Sequence, residues 1–217
     1  MSLFTIERKV LGKNDAIAAN IREGLKDKNI FSFNILSSPG SGKTSLVEKT
    51  IEYLKDRIKI AVIEGDVQTD LDAQRINMLE VPVTQIVTNG GCHLEAGLVR
   101  DALNNLNLNG IQLLIIENVG NLVCPAGYDL GEDTKVVVLS TTEGDDKPLK
   151  YPAMFRNASV LIINKIDLLP YVNCSVEQIK INALSVNPQL RIFETSCITG
   201  AGIGDWCKWI ESNIKSK

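Results

Sequence analysis

A glycine-rich turn between an apolar run and a helix-patterned run constrains the fold of this chain most strongly. The apolar run covers residues 30–36, the helical run covers residues 45–57, and between them stands Ser37-Ser38-Pro39-Gly40-Ser41-Gly42-Lys43-Thr44. Backbone N–H groups of such a turn form a cradle for an anion, and the dipole of the following helix adds to it. The order strand, turn and helix is therefore typical of a phosphate-binding loop.

In such a loop Lys43 reaches the β- and γ-phosphates of a nucleotide, and the Thr44 hydroxyl takes a place on Mg²⁺. The first position of the pattern G-x-x-x-x-G-K-[ST] is Ser37 in this chain instead of glycine. A glycine- and serine-rich turn that merely contains a lysine is the alternative. The flanking strand and helix favour nucleotide contacts from Ser38, Pro39, Gly40, Ser41, Gly42, Lys43, Thr44 and Ser45.

The rest of the chain alternates apolar strands with helical segments. The predicted strands are residues 30–36, 59–64, 83–87, 111–117, 135–140, 159–163 and 191–195; the predicted helices are residues 4–27, 45–57, 70–79, 94–106 and 204–214. Nearly all-apolar strands are typical of parallel strands that are buried on both faces. The pattern predicts an α/β fold, a three-layer P-loop NTPase domain with a mostly parallel sheet flanked by helices. We expect one domain over residues 1–217, with the N-terminal helix of residues 1–28 packed on it.

Composition excludes several classes of partner. The formal net charge of −3 and the pI near 5.3 argue against a nucleic-acid partner and against a polybasic membrane surface. No apolar run approaches the roughly 20 residues that span a bilayer, and the N-terminal residues have no signal-peptide pattern. Five cysteines without framework spacing fit reduced thiols. We therefore expect a cytoplasmic protein.

The tetrapeptide Asn164-Lys165-Ile166-Asp167 follows the predicted strand at residues 159–163. A carboxylate at the last position accepts hydrogen bonds from both N1–H and the exocyclic amine of guanine, a pair of donors that adenine lacks. The lysine stem lies over the base, and the asparagine ties the loop to its neighbours. Alone the tetrapeptide also fits a polar turn, but behind a phosphate-binding loop it favours guanine. Ser196 and Cys197, after the next strand, are predicted to supply a second base-contacting loop.

Acidic residues follow two of the predicted strands. Asp66 ends the second strand, and Glu117-Asn118-Val119-Gly120 ends a buried one. Because ligands of such sheets bind beyond the carboxyl ends of the strands, we expect Asp66 and Glu117 to join Thr44 around Mg²⁺, and the Gly120 N–H to meet a γ-phosphate. A solvated helix-face charge is the alternative for Asp72. The predicted catalytic residues are Lys43, Asp66, Asp72 and Glu117.

Cys92 stands beside His93, the only histidine of the chain, at the predicted start of a helix. Side chains at a helix start can converge on one point, and the helix dipole favours a thiolate. With Cys124, these residues are too few for a closed tetrahedral site, whereas two chains related by a two-fold axis would supply enough ligands. Thiolate and imidazole suit Ni²⁺ or Zn²⁺. Purely structural roles for the cysteines and the histidine are the alternative.

Six stretches in order along the chain resemble the HypB family, SIMIBI-class P-loop GTPases that assist nickel insertion into [NiFe] hydrogenase. The stretches are residues 38–44, 64–66, 92–94, 117–125, 143–146 and 164–167. The resemblance implies hydrolysis of GTP to GDP and phosphate by a nucleotide-dependent homodimer. It also implies that Cys92, His93 and Cys124 bind metal at the subunit interface. The implied partners are a small hydrogenase-maturation metallochaperone and the hydrogenase large-subunit precursor, and the implied ligands are GTP or GDP, Mg²⁺, and Ni²⁺ or Zn²⁺.

Three other interpretations fit part of the pattern. The urease-accessory nickel GTPases share the fold and the nickel task, but their metal motif is Cys-Pro-His. A passive metal-binding scaffold could also bind nucleotide, although one histidine in 217 residues gives it little storage capacity. A nucleoside or sugar kinase on the same fold would need an acceptor pocket and a lid, and would leave Asn164–Asp167 unexplained.

Two further expectations concern regulation. No arginine adjoins the phosphate motifs in sequence, so Lys147 and Lys150 are expected to project across a dimer toward the neighbour's acidic or phosphate groups. Solvated loop lysines are the alternative. Only four peptide units separate Gly120 from Cys124, a span of at most ~14 Å, so a γ-phosphate drawn to Gly120 is expected to shift Cys124.

Overall fold

Seven strands and eight helices make up the part of the chain that the computed structural model describes, residues 3–68 and 71–217. The strands are β1 (Phe31–Ser37), β2 (Ile60–Asp66), β3 (Val83–Val87), β4 (Leu113–Glu117), β5 (Thr134–Ser140), β6 (Val160–Asn164) and β7 (Arg191–Glu194). The helices are α1 (Leu3–Asp27), α2 (Lys43–Leu54), α3 (Leu71–Asn77), α4 (Ala96–Leu103), α5 (Lys147–Lys150), α6 (Pro152–Arg156), α7 (Val176–Val186) and α8 (Ile203–Lys215).

The strands form one sheet in the order β3-β2-β4-β1-β5-β6-β7, and all six neighbouring pairs are parallel. All carboxyl ends of the strands therefore point to the same edge. β1 lies between β4 and β5, so the loop that follows it faces the loops after both neighbours. This edge is where the predicted phosphate, metal and base residues meet.

Alternate residues of each strand supply the two faces of the core. In β4, Leu113 and Ile115 pack on one face, and Leu114 and Ile116 pack on the other. The first face is covered by α2 and α8, which contribute Leu46, Ile51, Trp206 and Ile210. The second face is covered by α1 and α4 near β2 and β4, and by α6 and α7 near β5 and β6. The predicted three-layer α/β fold is thus confirmed.

The N-terminal helix α1 packs on the second face. Ala18, Ile21 and Leu25 are buried against the same cluster as Val99 and Ala102 of α4. Residues 11–27 therefore bury a stripe at helical spacing. One domain over residues 1–217 stays a prediction. Within the described residues no helix has the length and apolar character needed to cross a membrane.

The sequence-based elements differ from the observed ones mainly at their ends and in one region. Helix α4 is shorter than the predicted 94–106, and the predicted helix start at Asp70 lies outside the described residues. The short helices α5 and α6 and the longer α7 were not predicted. Each short helix contains a proline in its first turn, Pro148 or Pro152, which fits a helix start and interrupts a longer helical pattern.

Candidate functional site

The phosphate-binding loop leaves β1 and enters α2 at Lys43, two residues before the predicted helix start. Gly40 and Gly42 have φ of +74° and +95°. A Cβ on Gly42 would also lie 2.6 Å from Asn164 Nδ2, so only glycine fits this position. Ser41 is 1% exposed, and its Oγ has no hydrogen-bond partner among the described residues. The loop therefore keeps an unused polar group where an anion would bind.

Three carboxyl groups meet behind this loop, on Glu64, Asp72 and Glu117. One oxygen from each lies within 4.8 Å of the others. Glu64 and Glu117 face each other across the β2–β4 pair, and the Thr44 Oγ1 donates to Glu117 Oε1 at 2.7 Å. The other oxygen of both glutamates is buried and unpaired. Lys43 contributes the opposing positive charge.

Burial dominates the chemistry of this acidic cluster. Burial, with the neighbouring Glu117 charge, raises the pKa of Glu64 to about 8. Burial likewise raises the pKa of Glu117 to about 7, although Lys43 and the Thr44 hydrogen bond oppose the shift. Unpaired oxygen donors in such a setting fit a hard divalent cation such as Mg²⁺, which would neutralise them. Of the residues predicted to contact Mg²⁺, Thr44 and Glu117 lie at this cluster, whereas Asp66 is not one of its three carboxyl groups.

Asp66 and Asp72 differ in their surroundings. Asp66 is not part of the three-carboxyl cluster, and its Oδ1 accepts from the Val67 N–H at 2.6 Å. Asp72 belongs to the cluster and pairs with Arg75 on the same helix at 3.0 Å. Asp72 is therefore not simply a solvated charge on a helix face, because Arg75 lies on one side of its carboxylate and two buried carboxyl groups lie on the other.

Sequence reasoning missed Glu64 and Arg75. Arg75 contacts Glu48 at 2.5 Å and Ser45 Oγ at 3.4 Å, so an arginine does stand beside the phosphate-binding loop although none adjoins it in sequence. Glu64 precedes Asp66 by two residues and therefore shares its side of the strand. That spacing was the signal in the sequence that Glu64 shares a face with Asp66. It indicates a contact between Glu64 and Glu117 only once β2 is known to lie next to β4.

The predicted base-contacting residues also come together. Asn164 Nδ2 donates to the Ser41 carbonyl at 3.0 Å, and Lys165 Nζ donates to the Gly40 carbonyl at 2.6 Å. These two bonds tie the loop after β6 to the phosphate-binding loop. Asp167 Oδ1 is buried without a partner within the described part of the chain. A donor from a ligand would satisfy it.

The loop after β7 adjoins the same site through Asn164. The Cys197 thiol lies 3.6 Å from Asn164 Oδ1, and the Thr195 hydroxyl donates to that oxygen at 3.1 Å. Ser196 is fully buried, and its Oγ accepts from the Thr199 N–H at 3.1 Å. Cys197 thus lies beside Asn164, and a contact of Ser196 or Cys197 with a base stays a prediction.

Cys92, His93 and Cys124 form a second cluster of possible metal ligands. One donor atom from each lies within 4.8 Å of the others, and Cys92 Sγ lies 3.6 Å from His93 Nδ1. Cys124 begins a single 3₁₀ turn, Cys124–Gly127. The ring of Tyr128, just after that turn, packs against the His93 ring at an angle of 37°, with centroids 4.1 Å apart. Residues 32 positions apart in sequence thus converge as predicted.

The thiolate expected at Cys92 is not favoured in the structure, because its thiol pKa is raised, whereas His93 is held in the neutral form that binds a metal. A hydrogen bond with Cys124, together with burial, raises the pKa of the Cys92 thiol. Burial lowers the pKa of His93, which Glu95 opposes, so the imidazole is neutral near pH 7. Its Nε2 is buried without a hydrogen bond, since Glu95 Oε1 is 3.8 Å away. Neutral imidazole and thiols that lose protons on metal binding are the usual donors for Ni²⁺ or Zn²⁺.

Two short connections join the metal-ligand cluster to the nucleotide region. A Cβ on Gly120 would lie 3.1 Å from the backbone of Pro39, so the segment after β4 packs directly on the phosphate-binding loop. The Asn121 Oδ1 accepts from the Cys124 N–H at 3.1 Å. The Asn118 Oδ1 accepts from the Leu94 N–H at 3.1 Å, next to His93. Both halves of the cluster are therefore bonded to residues 117–121.

Lys147 and Lys150 lie in α5, away from this cluster in sequence. Lys150 Nζ pairs with Asp146 at 2.5 Å, and both side chains are exposed. Lys147 Nζ lies 5.4 Å from the centroid of the Tyr151 ring. Both cations thus have partners in their own chain, and a role across a dimer stays a prediction.

Comparison with known proteins identifies the family of this chain. Residues 32–194 match the family described as CobW/HypB/UreG, nucleotide-binding domain. The hydrogenase maturation factor HypB of Azotobacter vinelandii is 52% identical over 209 residues, which cover 96% of this chain and 69% of that protein.

Two solved structures are also similar over nearly the whole chain. HypB from Helicobacter pylori in complex with nickel has a TM-score of 0.90 and 39% identity, covering 94% of this chain and 96% of that one. The hydrogenase maturation factor HypB from Archaeoglobus fulgidus has a TM-score of 0.88 and 38% identity, covering 94% of this chain and 100% of that one. The resemblance predicted from six sequence stretches is confirmed, and the chain belongs to the HypB family of P-loop nucleotide-binding proteins.

Proposed function

We propose that this chain is a GTP-hydrolysing nickel metallochaperone that assists nickel insertion into [NiFe] hydrogenase. The observation that carries the proposal is the convergence of Cys92, His93 and Cys124 within 4.8 Å, in a chain of the HypB family. The relatives named as hydrogenase maturation factors, and the nickel complex of one of them, support nickel as the cargo.

GTP is the proposed nucleotide. The orphaned Asp167 oxygen would accept the N1–H and amine donors of guanine, while Lys165 and Asn164 hold the loop against the phosphate-binding turn. Ser196 and Cys197 would complete the base site. The phosphates would contact Gly120 and the residues of the turn, Ser38, Pro39, Gly40, Ser41, Gly42, Lys43, Thr44 and Ser45.

Hydrolysis would depend on the acidic cluster and its cations. Thr44, Asp66 and Glu117 are the proposed contacts of Mg²⁺, and bound Mg²⁺ would neutralise charge on the β- and γ-phosphate oxygens. Lys43 would hold the γ-phosphate. Asp72, held in place by Arg75, would orient the attacking water, with Asp66 as the other residue suited to that task.

Nickel would be held by three donors from one chain, leaving room for a fourth. A second copy of the chain related by a two-fold axis would supply the remaining ligands, so we propose that the metal lies at the interface of a GTP-dependent homodimer. Zn²⁺ would fit the same donors. Because Asn121 joins Gly120 to the Cys124 N–H, contact of a γ-phosphate with Gly120 would change the position of Cys124.

The proposed partners follow from the same role. They are a small hydrogenase-maturation metallochaperone and the hydrogenase large-subunit precursor. No nucleic-acid or membrane partner is proposed, and the cytoplasmic location stays a prediction. A passive metal-binding scaffold is the alternative that differs most, because it would bind nickel equally well whatever nucleotide is present.

The deciding experiment measures metal affinity in two nucleotide states. Ni²⁺ and Zn²⁺ are titrated into the GDP-bound and GTP-analogue-bound chain, with sedimentation velocity reporting the oligomeric state. Coupling of ~1–3 kcal/mol predicts a difference of roughly 5- to 150-fold in metal affinity between the two states, and the same factor in GTP affinity with and without metal.

Two cysteine variants control this experiment. Cys124→Ala is expected to lose most of the affinity, whereas Cys174→Ala, which removes a half-buried thiol packed beside α7, is expected to bind like the parent. Identical metal affinity in both nucleotide states of the parent would refute the coupling. Parental affinity in Cys124→Ala would refute the ligand set.

A further inference from the structure

The side chain of Asn14 in α1 bonds two segments that are remote from it in sequence. Asn14 is 6% exposed. Its Nδ2 donates to the Asp129 carbonyl at 2.8 Å, and its Oδ1 accepts from the Ala96 N–H at 2.8 Å. One buried amide therefore joins residues 96 and 129 through a helix near the start of the chain.

These two segments carry the two halves of the metal-ligand cluster. Ala96 is the first residue of α4 and follows His93 by three positions, whereas Asp129 follows Cys124 by five. Between them the rings of His93 and Tyr128 pack against each other. The Asn14 amide thus spans the same gap as the cluster itself, from the side of α1.

One hydrogen bond of Asn14 caps helix α4, and the other holds the segment at Asp129. The residue before α4, Glu95, makes no side-chain cap, so Ala96 N–H is one of the helix donors without a partner inside the helix. Asn14 supplies that cap from another helix. On the other side, Arg22 of α1 also holds Asp129, with 2.6 Å between Nη2 and Oδ1. Helix α1 therefore binds the segment after Cys124 at two points.

We infer that Asn14 is a positioning residue of the metal site, whose amide fixes the separation between the Cys92–His93 pair and Cys124. The inference rests on the proposed function, because it takes these three residues as metal ligands. Residues that orient metal ligands without touching the metal change its affinity by about 10- to 100-fold when they are replaced. Asn14 acts on both halves of the site at once, so its loss lets their separation vary.

Two substitutions at Asn14 separate positioning of the site from capping of α4. Asn14→Ala removes both bonds. Asn14→Asp keeps an acceptor for the Ala96 N–H, which a helix N-terminus favours, but it opposes a carboxylate oxygen to the Asp129 carbonyl. If Asn14 only capped α4, the aspartate variant would behave like the parent.

The chain also offers a matched control in Asn182 of α7. It is 8% exposed, its Nδ2 donates to the Asp145 carbonyl at 2.8 Å, and its Oδ1 accepts from Gln178 Nε2 at 2.9 Å. Asn182→Ala thus removes an equally buried, doubly bonded amide that touches neither segment of the metal cluster.

The experiment measures Ni²⁺ affinity, the visible absorption of the Co²⁺-loaded chain, GDP affinity and the urea midpoint of the parent and all variants. Both Asn14 variants are expected to bind Ni²⁺ about 10- to 100-fold more weakly and to alter the Co²⁺ bands, which report the ligand geometry. Asn182→Ala is expected to lower the urea midpoint without changing either metal readout. GDP affinity is expected to stay within about twofold of the parent in every variant, since α1 makes none of the nucleotide contacts proposed above.

The Cys124→Ala variant shows whether a failure concerns the proposed metal site as a whole or only the positioning role of Asn14. Equal Ni²⁺ binding by the parent and Cys124→Ala would overturn the proposed site and this inference with it. With Cys124→Ala impaired, parental Ni²⁺ affinity and Co²⁺ bands in Asn14→Asp would overturn the inference alone. An equal loss of affinity in Asn182→Ala would assign the effect to general destabilisation and also overturn it. If Asn14→Ala does not fold, Asn14→Asp, which keeps the cap of α4, decides.

Discussion

Replacement of Asp167 by asparagine tests the proposed guanine site with little change in shape. The Asp167 Oδ1 is buried and has no hydrogen-bond partner in the described part of the chain, so the folded protein already holds an acceptor for a ligand. Asparagine puts an NH₂ group in place of one carboxylate oxygen. Because N1–H and the exocyclic amine of guanine both donate, that NH₂ meets a donor instead of serving as an acceptor.

The size of the effect follows from the number of bonds that are lost. A hydrogen bond to a charged group contributes ~1.5–3 kcal/mol, so two of them contribute ~3–6 kcal/mol. The one neutral bond that asparagine retains returns ~1 kcal/mol. The net loss of about 2–5 kcal/mol corresponds to roughly a 30- to 4,000-fold weaker affinity for GDP. Xanthine carries a carbonyl where guanine carries the amine, so the same variant gains a bond to xanthosine nucleotides.

Competition against a fluorescent guanine nucleotide gives the dissociation constants of GDP and xanthosine diphosphate. Asp205→Asn is the matched control, because Asp205 is a well-exposed carboxylate in the first turn of α8 that pairs only with Lys208 among the ion pairs described. We expect it to bind both nucleotides like the parent. GDP binding by Asp167→Asn within twofold of the parent, with no gain for xanthosine diphosphate, would refute the assignment of Asp167 as the base reader.

Three further predictions concern the phosphate site and the dimer. Lys43→Ala is expected to abolish GTP hydrolysis without changing the circular dichroism spectrum, and undiminished turnover would remove the loop from the mechanism. Lys150→Glu breaks only a solvent-exposed pair with Asp146, yet it is expected to weaken GTP-analogue-dependent dimerisation at least about tenfold while nucleotide affinity stays unchanged. Equal dimerisation of parent and variant in sedimentation velocity would refute a role for Lys150 across the dimer. Burial raises the pKa of Glu64 from 4.5 to about 8, so the folded chain keeps a proton that the unfolded chain releases, and stability falls as pH rises through this window. In EDTA, urea unfolding of the parent is therefore expected to lose about 3 kcal/mol more between pH 5 and pH 8 than Glu64→Gln loses, whereas parallel curves would show that Glu64 is not held protonated.

Local patterns were enough to predict the sheet, but not every helix. Most strands were found because they are largely apolar, and β3, which also contains polar residues, was placed at both of its ends. Helix α7 was missed although Ser175 caps it by accepting from the Gln178 N–H, a start signal that the sequence carries. Its amphipathic pattern is weak because Ile181 and Leu184 are exposed. Tertiary packing, not the local pattern, stabilises this helix.

Some residues of the candidate site could be predicted from local sequence, and others could not. The phosphate loop, the Asn164–Asp167 loop and the Cys92, His93 and Cys124 cluster could be predicted because each lies in a recognisable stretch. Arg75 and Asn14 could not, because their neighbours are defined only by the strand order and the helix packing. Glu64 lies in one of the six stretches, but its place in the acidic cluster depends on β2 lying next to β4. Arg75, for instance, reaches Ser45 across 30 positions of sequence.

The unpaired buried atoms of the site have a consequence for the life of the empty protein. Five such atoms are Ser41 Oγ, Glu64 Oε2, His93 Nε2, Glu117 Oε2 and Asp167 Oδ1. Each carries a desolvation cost of ~1–3 kcal/mol until a ligand pairs it, so the empty chain is the least stable form. At 100 times the dissociation constant, one bound ligand adds about 2.7 kcal/mol to the free energy of unfolding. The supply of nucleotide and metal would then set how long each molecule resists proteolysis, and molecules without bound ligands would be degraded first.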